Sequence, residues 1–500
     1  MSGKVLAVGT VRDDLRATAV ACPDRVAVQV DGGPSLTYAS FDRRADAVAR
    51  GLTHAGVGIG DRVALLLDNA AAVDFHVGYV AAHRAGAAAV PINARYADRE
   101  IAHVFGDCAP RVVVSAGTQL DRVRGLVPAG VAVLTADEVA ADDDSPYDVP
   151  VTDNDLADVF YTSGTTGLPK GVASTHANTS AAMRPLRDGG VLLHAIPLST
   201  FTGVHGGVVT PLRLGLTAVV LPAFDTGRFA AVMDESGAQS LLMVPAQIAL
   251  LLDAGVLAGH DTSRVRTVMF GGAPTPPATV DALGEAFPNA MLLNGYGLTE
   301  AGGSICVLPP GEASKRRGSV GKPLPGVEVK VADEEGREVP TGEVGQILLR
   351  IAAGKRSYFG DDEATAQTWR DGWVQSGDLG RLDEDGFLYV VGRTKDMIIR
   401  GGYNIYAVEV ESALHEHPDV LEAAVVGVEH RVLGQDVCAV VRQREGTAPL
   451  DLDTVRAFLE DRLADYKRPR RLELRADPLP RNAMGKLDKN AIRASLASSS

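Results

Sequence analysis

A chain of 500 residues holds more sequence than one hydrophobic core usually organises, so at least two domains are expected and a small binding module is excluded. The formal net charge of -14 opposes nucleic acid, and any polyanionic ligand must be held by a local site. Cys22, Cys108, Cys306 and Cys438 are too scattered for a disulfide framework or metal-ligand spacing, which fits a reducing cytoplasm.

The start "MSGKVLAVGT" lacks a basic stretch followed by an apolar core, and no apolar run reaches the roughly 18 residues that cross a bilayer. An untargeted cytoplasmic chain without a membrane span is the expectation. Short β-rich runs then alternate with helical segments: "DRVALLLD" (61–68), "APRVVVSA" (109–116) and "GVAVLTA" (130–136). That alternation predicts α/β layers with strands buried on both faces. The Ala- and Asp-rich "DEVAADDDSPYDVP" (137–150) reads as an exposed connection.

Next comes "YTSGTTGLPKGV" (161–172), too rich in glycine and hydroxyls to pack as core or propagate a helix. Its backbone amides and hydroxyls suit anionic oxygens, and Lys170 can add charge. It is not a Walker A loop, because Lys170 comes three residues after Gly167, between Pro169 and Gly171. A plain surface turn explains the run in isolation equally well.

Farther on, "GVEVKVADEEGREVPTGEVGQILLR" (326–350) predicts antiparallel strands or a distorted barrel. After about residue 395 a compact α+β pattern of about 100 residues follows. It has a helix near 407–417, strands "LEAAVVGVE" and "DVCAVVRQ", and a helix over 452–466 with Leu452, Val455, Leu459 and Leu463 on one face.

Three downstream runs complete the pattern: "NGYGLTEAG" (294–302), "WVQSGDLGRLDEDGFLYVVGRTKDMIIRGGYNIYAVEVE" (373–411) and "LPRNAMGKLDK" (479–489). With "YTSGTTGLPKGV" they resemble, in order and spacing, the signature motifs of the adenylate-forming superfamily and its acyl-CoA synthetase branch. The resemblance spans essentially the whole chain. It implies a large N-terminal domain of α/β layers plus a distorted β-barrel over 1–394. A small mobile α+β domain over 395–500 would carry the catalytic lysine and the thiolation face.

The resemblance implies two half-reactions with ATP, Mg2+ and coenzyme A: a carboxylate attacks the α-phosphorus and releases pyrophosphate, then a thiol takes the acyl group and releases AMP. Such chemistry needs positioning and charge neutralisation. On the matching motif positions, Ser163, Thr165, Thr166 and Lys170 would contact the β- and γ-phosphates. Thr299 would reach the α-phosphate, Glu300 would hold magnesium and Tyr296 would lie beside the adenine. Asp378 and Arg393 would meet the ribose. Lys486 would bridge the attacking carboxylate and the α-phosphate as the catalytic cation. Lys395 matches the hinge position, and Arg400, Gly401 and Gly402 match the thiolation loop that approaches pantetheine. Without the motifs Glu300 and Lys486 read as solvated charges, Asp378 as an ordinary Asp before a turn and Arg393 as a surface ion pair.

"GGYNIYAVEVE" is closer to the CoA ligases than to peptide synthetases, although Tyr403 stands in place of a usual Glu or Phe-type residue. A second departure is "PLSTFTG" (197–203), where relatives usually have an aromatic residue and a histidine at the positions of Ser199 and Thr200. The small pair reads first as ordinary variation among acyl-CoA synthetases; two sharper readings are that it makes room for a bulky acyl group, or that it weakens adenylation and leaves a thiolation specialist fed by a separate adenylating enzyme. An ATP- or CoA-binding sensor is the non-catalytic alternative. The expected acyl pocket gathers Ser199, Thr200, Phe201, His205, Met243, Gly271, Gly272, Ala273 and Gly295. No Arg or Lys within those runs awaits a second carboxylate, which favours a hydrophobic monocarboxylic acid. A homodimer is the family's weighting.

Overall fold

The computed structural model describes residues 5–6, 9–162, 168–179, 184–185, 189–309, 311–312, 315–352, 354, 356–482 and 485–497. The backbone forms two compact units: Met1–Gly272, Ala286–Ile305 and Ile351–Val374 make the first, and Ala273–Glu285, Cys306–Arg350 and Gln375–Ser500 the second. The boundary expected at 394/395 falls within the second unit, where strand Leu388–Arg393 gives way to the 3-10 turn Thr394–Asp396.

The first unit contains two largely parallel sheets. One runs, edge to edge, through Ser357–Tyr358, Lys170–Thr175, Leu156–Thr162, Ala88–Pro91, Arg62–Leu66, Val112–Ser115 and Ala132–Leu134. The other includes Met291–Leu298, Thr267–Gly271, Ser240–Met243, Val191–His194, Thr217–Val220 and Val26–Val30 as parallel neighbours. Strands such as "VVVS" and "SLLM" are buried at every position, as parallel strands covered on both faces must be.

Helix Ala72–Arg84 is buried nearly all round. Its last residue, Arg84, is fully buried because Asp46 accepts from its Nη1 at 2.8 Å and Asp42 accepts from its Nη2. The segment 137–150, expected as an exposed connection, begins inside the short helix Ala136–Val139 and is then tied down. The amide of Ala141 donates to the Ala47 carbonyl at 2.9 Å and that of Val149 to the Arg84 carbonyl at 2.7 Å. Its acidic residues answer arginines of neighbouring helices, with Asp148 2.9 Å from Arg16.

Strands Val327–Ala332, Gly345–Ile351, Trp373–Leu382 and Leu388–Arg393, most of whose residues belong to the second unit, follow one another across one sheet. A further sheet orders Tyr403–Tyr406, Met397–Arg400, Gly434–Gln443 and Val420–His430, with Arg471–Arg475 parallel to Gly434–Gln443. Val410, Leu414, Val425, Val437, Val455 and Leu459 share one core, and Val426, Val440, Leu479 and Ile492 share a second. Alternate residues of strand Val420–His430 thus serve two buried clusters.

The helix expected over 452–466 ends at Phe458, capped at its start by Asp451, which accepts from the Thr454 amide at 2.7 Å. Leu459 and Leu463 still reach the core, but arginines take over the trailing carbonyls. Arg462 Nη1 donates to the Phe458 carbonyl at 2.7 Å and Arg468 Nε to that of Leu463 at 3.0 Å.

Candidate active site

In the first unit the motif residues gather where the two central sheets end. Strand Met291–Leu298 carries Gly295 and the buried Tyr296 and runs into the 3-10 turn Thr299–Ala301, which presents Thr299 and Glu300. Bare backbone is required here. A Cβ on Gly271 would lie 2.2 Å from the Gly295 carbonyl oxygen, and one on Gly297 only 1.7 Å from that of Gly303. Gly272 follows with φ +79°, while Ala273 begins a segment of the second unit.

The Tyr358 hydroxyl donates to Oε1 of Glu300 at 3.1 Å. Lys170, at the head of strand Lys170–Thr175, lies 5.4 Å from the centre of the Tyr358 ring and pairs with Oδ2 of Asp361 at 3.1 Å. The Ala364 amide and Lys170 hold the Asp361 carboxyl below its usual range. A cavity beside this pair is lined by His103, Asp107, Pro169, Lys170, Phe359 and Asp361. Thus Lys170 and Glu300, 130 positions apart in sequence, meet through one tyrosine. Ser163, Thr165 and Thr166 lie outside the described residues.

The run "PLSTFTG" folds into a turn whose threonine caps a helix. Thr200 Oγ1 accepts from the Gly203 amide at 2.9 Å and donates to the Pro197 carbonyl at 2.9 Å. Ser199 precedes it, half-buried. Phe201 stacks on His205 at 4.0 Å between ring centres with 22° between planes, and Phe160 meets Phe201 edge-on at 5.0 Å. His205 opens the π-helical turn His205–Val209, a geometry frequent at functional sites. Burial pushes its imidazole down to about 4, so it is neutral at pH 7. Met243 is fully buried at the end of its strand. The aromatic ring and imidazole missing at 199 and 200 are therefore present farther along the same segment.

The second unit holds the remaining candidates. Arg393 Nε donates to Oδ1 of Asp378 at 2.9 Å, across a register that sets the two residues opposite each other on antiparallel strands. Lys395 is exposed in the turn Thr394–Asp396. Gly401 and Gly402 join Met397–Arg400 to Tyr403–Tyr406 with φ +59° and +87°, a two-glycine hairpin turn that only residues at ease with positive φ form. Arg400 Nε donates to Asp436 Oδ1 at 2.6 Å, and Tyr403 stacks on Tyr466 at 4.5 Å. Lys486 sits in a small loop closed by reciprocal bonds: the Asn482 amide donates to the Lys486 carbonyl at 2.8 Å, and the Lys486 amide to Asn482 Oδ1 at 3.1 Å.

Sequence reasoning missed Arg356, Tyr358 and Asp361. The available signal was "DDEAT", in which Asp361 caps helix Asp362–Thr368 by accepting from the Ala364 amide at 2.9 Å. Among the described residues no cluster of three or more His, Cys, Asp or Glu could hold a metal ion. A single carboxylate such as Glu300 fits magnesium, which keeps waters and takes other oxygens from a nucleotide's phosphates. No helix of the described residues is long and apolar enough to cross a membrane.

Residues 15–359 match the family described as AMP-binding enzyme, and residues 409–486 match the AMP-binding enzyme C-terminal domain. The chain is 35% identical to a feruloyl-CoA synthase of Amycolatopsis sp., covering 92% of this chain and 94% of that protein. It is 34% identical to the 2-succinylbenzoate–CoA ligase of Geobacillus kaustophilus, over 97% and 98% of the two chains. Among solved structures, the anthranilate CoA ligase AuaEII in complex with anthranoyl-AMP superposes with a TM-score of 0.89 at 26% identity, covering 99% of each chain.

Proposed function

Because this chain belongs to the AMP-binding enzyme family, in the CoA ligase branch of the adenylate-forming superfamily, we propose that it converts a hydrophobic monocarboxylic acid, through an acyl-adenylate, to its CoA thioester. It is an AMP-forming acid–thiol ligase, of a kind that uses ATP, Mg2+ and coenzyme A. In the first half-reaction a substrate carboxylate oxygen bonds to the α-phosphorus of ATP and the bond to pyrophosphate breaks. In the second, the CoA sulfur bonds to the acyl carbon, the bond to AMP breaks, and the thiol proton passes to solvent.

The observation that carries this reading is the Lys170–Tyr358–Glu300 arrangement, which sets a cation and an oriented carboxylate around one ring. Lys170 would leave Asp361 for the β- and γ-phosphates, beside Ser163, Thr165 and Thr166. Glu300 would hold magnesium and Thr299 the α-phosphate, with Tyr296 against the adenine. Asp378, already fixed by Arg393, would accept from the ribose hydroxyls. Lys486 supplies the transition-state cation, Lys395 the hinge, and Arg400, Gly401 and Gly402 the thiolation loop. The apolar walls offered by Phe160, Phe201 and Met243 support an acid with a hydrophobic body.

The test is acid-dependent exchange of labelled pyrophosphate into ATP without CoA, across fatty, aromatic and polycyclic acids. Exchange with one class supports the reading and identifies the acid. No exchange, together with thioester formation from the same acids supplied as synthetic adenylates, would replace it with a thiolation specialist served by a separate adenylating enzyme.

A further inference from the structure

Directly after the turn that bears Thr299 and Glu300, two glycines with positive φ, Gly302 (+86°) and Gly303 (+104°), leave the backbone bare. Each faces a distinct group. A Cβ on Gly302 would lie 2.4 Å from both Nη atoms of Arg356, and one on Gly303 would lie 2.7 Å from the edge of the Phe201 ring that stacks on His205. The backbone step between them is thus flanked by a guanidinium on one side and an aromatic–imidazole pair on the other.

Both polar groups are underused by the protein. Arg356 is only 4% exposed, yet among the described residues no carboxylate lies within ion-pairing distance of it. Its two hydrogen bonds there go to neutral acceptors: Nε donates to Ser174 Oγ at 3.1 Å and Nη2 to the Asn178 carbonyl at 3.2 Å. Burial pushes its pKa down to about 10, offset in part by the more distant charge of Asp158, so it remains a cation at neutral pH. Nε2 of His205 is buried and has no hydrogen-bond partner among the described residues. A buried cation whose hydrogen bonds among the described residues go only to neutral acceptors, and a buried imidazole nitrogen with none among them, are costly unless something else meets them.

We propose that Arg356 and His205 form a polar end to an otherwise apolar acyl pocket, and that they recognise an oxygen acceptor at the end of the acid remote from its reacting carboxylate. The inference rests on the ligase reading and deepens it, because it replaces a featureless hydrophobic acid by one with an apolar body and a terminal hydroxyl, ether or carbonyl, or with a second carboxylate, in which case the acid is no longer monocarboxylic. It also answers the absence of a waiting cation in the pocket runs of the sequence: the cation comes from residue 356, more than fifty positions beyond the last of them. The glycines are part of the device, since a side chain at 302 would occupy the space of the guanidinium.

The test uses non-hydrolysable acyl-sulfamoyl adenosines in matched sets, in which an aryl or alkyl acyl group ends in hydrogen, hydroxyl or carboxylate, with binding read by calorimetry. Wild type should prefer one oxygen-ended analogue over its hydrogen-ended partner by at least about tenfold, as sites built to hydrogen-bond a group reject the analogue that lacks it. Hydroxyl over carboxylate, or the reverse, tells a neutral terminus from an anionic one. Arg356→Met should reduce the preference to near unity while leaving the hydrogen-ended analogue bound as before, and Arg356→Lys should keep part of it. Equal binding of all three analogues by wild type overturns the proposal, whether or not the Met variant folds. So does an equal loss of affinity for all three in Arg356→Lys. Because binding needs no turnover, a failure of pyrophosphate exchange would count against the ligase reading alone.

Discussion

Tyr358 and Glu300 are joined by a 3.1 Å hydrogen bond from hydroxyl to carboxylate, and the same ring lies 5.4 Å beneath the Lys170 ammonium. The bond fixes which way Glu300 faces while Lys170 is held by Asp361. Tyr358→Phe keeps the ring and removes the bond. The expected result is weaker binding of magnesium, with the concentration for half-maximal pyrophosphate exchange raised about fivefold, the worth of one hydrogen bond of roughly 1 kcal/mol. An unchanged magnesium titration would remove Tyr358 from the positioning of Glu300.

Lys486 lies in a loop whose backbone is locked to Asn482 in both directions, so the side chain can be changed without undoing the loop. Lys486→Ala should lower acid-dependent pyrophosphate exchange by at least about a hundredfold, the scale of removing one electrostatic stabiliser. Thioester formation from a supplied acyl-adenylate should persist. Equal loss of both steps would sink the role proposed for this lysine.

What the sequence disclosed depended on how local each signal is. Buried parallel strands such as "VVVS" declare themselves by continuous apolarity, and the motif run ending in Thr299 and Glu300 is found intact at the end of one strand. The Asp378–Arg393 pair was also legible, since fifteen residues of hairpin return one strand to the other. Arg356 and Tyr358 were not, because their importance comes from neighbours about fifty and more than 170 positions away: Gly302, Glu300 and Ser174. The helix expected over 452–466 carried correct apolar spacing but ended early: Arg462 takes the carbonyl of the last helical residue, Phe458, and Arg468 takes that of Leu463 beyond it, partners to which periodicity is blind.

His76 and His194 are buried, and burial above all pushes their pKa values down to about 4 and about 3. Near pH 5 the unfolded chain carries a proton on each imidazole, with an ordinary value of about 6.5, that the folded chain lacks. Stability is therefore complete above about pH 6.5 and falls as acid is added, with the pair alone contributing about 3 kcal/mol per pH unit near pH 5. Chemical denaturation between pH 7 and pH 4.5 checks the slope. His194→Gln should reduce the pair's share by about half, and an unaltered slope would refute the assignment.

Thr200 occupies the position where relatives usually carry a histidine, yet here its hydroxyl is engaged at both ends, accepting from the Gly203 amide and donating to the Pro197 carbonyl. Thr200→Ala should cost about 1 kcal/mol of stability, as loss of an N-cap does, and Thr200→Ser should restore most of it. The measurement is denaturant unfolding of the three proteins in parallel. If Thr200→Ala instead leaves stability untouched and raises the KM for the acid, the hydroxyl serves substrate rather than the turn.

Gly401 and Gly402 separate the two cases of a strained turn. A Cβ on Gly401 would press on Leu433 at 3.2 Å, whereas one on Gly402 meets nothing within 4 Å, so Gly402→Ala changes only the cost of holding φ at +87°. That cost is about 1 kcal/mol, too little to unfold a domain whose two cores lie elsewhere. The turn is nevertheless where the proposed thiolation loop would pass closest to pantetheine, and a methyl group there narrows the approach. Gly402→Ala should therefore leave pyrophosphate exchange within about twofold of wild type while slowing transfer of the acyl group to CoA by about tenfold or more, the scale of a small misplacement at a reacting centre. Rapid-quench kinetics started from preformed acyl-adenylate and CoA reads the second step directly. Slowing of both half-reactions to the same degree would mean that the turn supports the fold and has no part in thiolation.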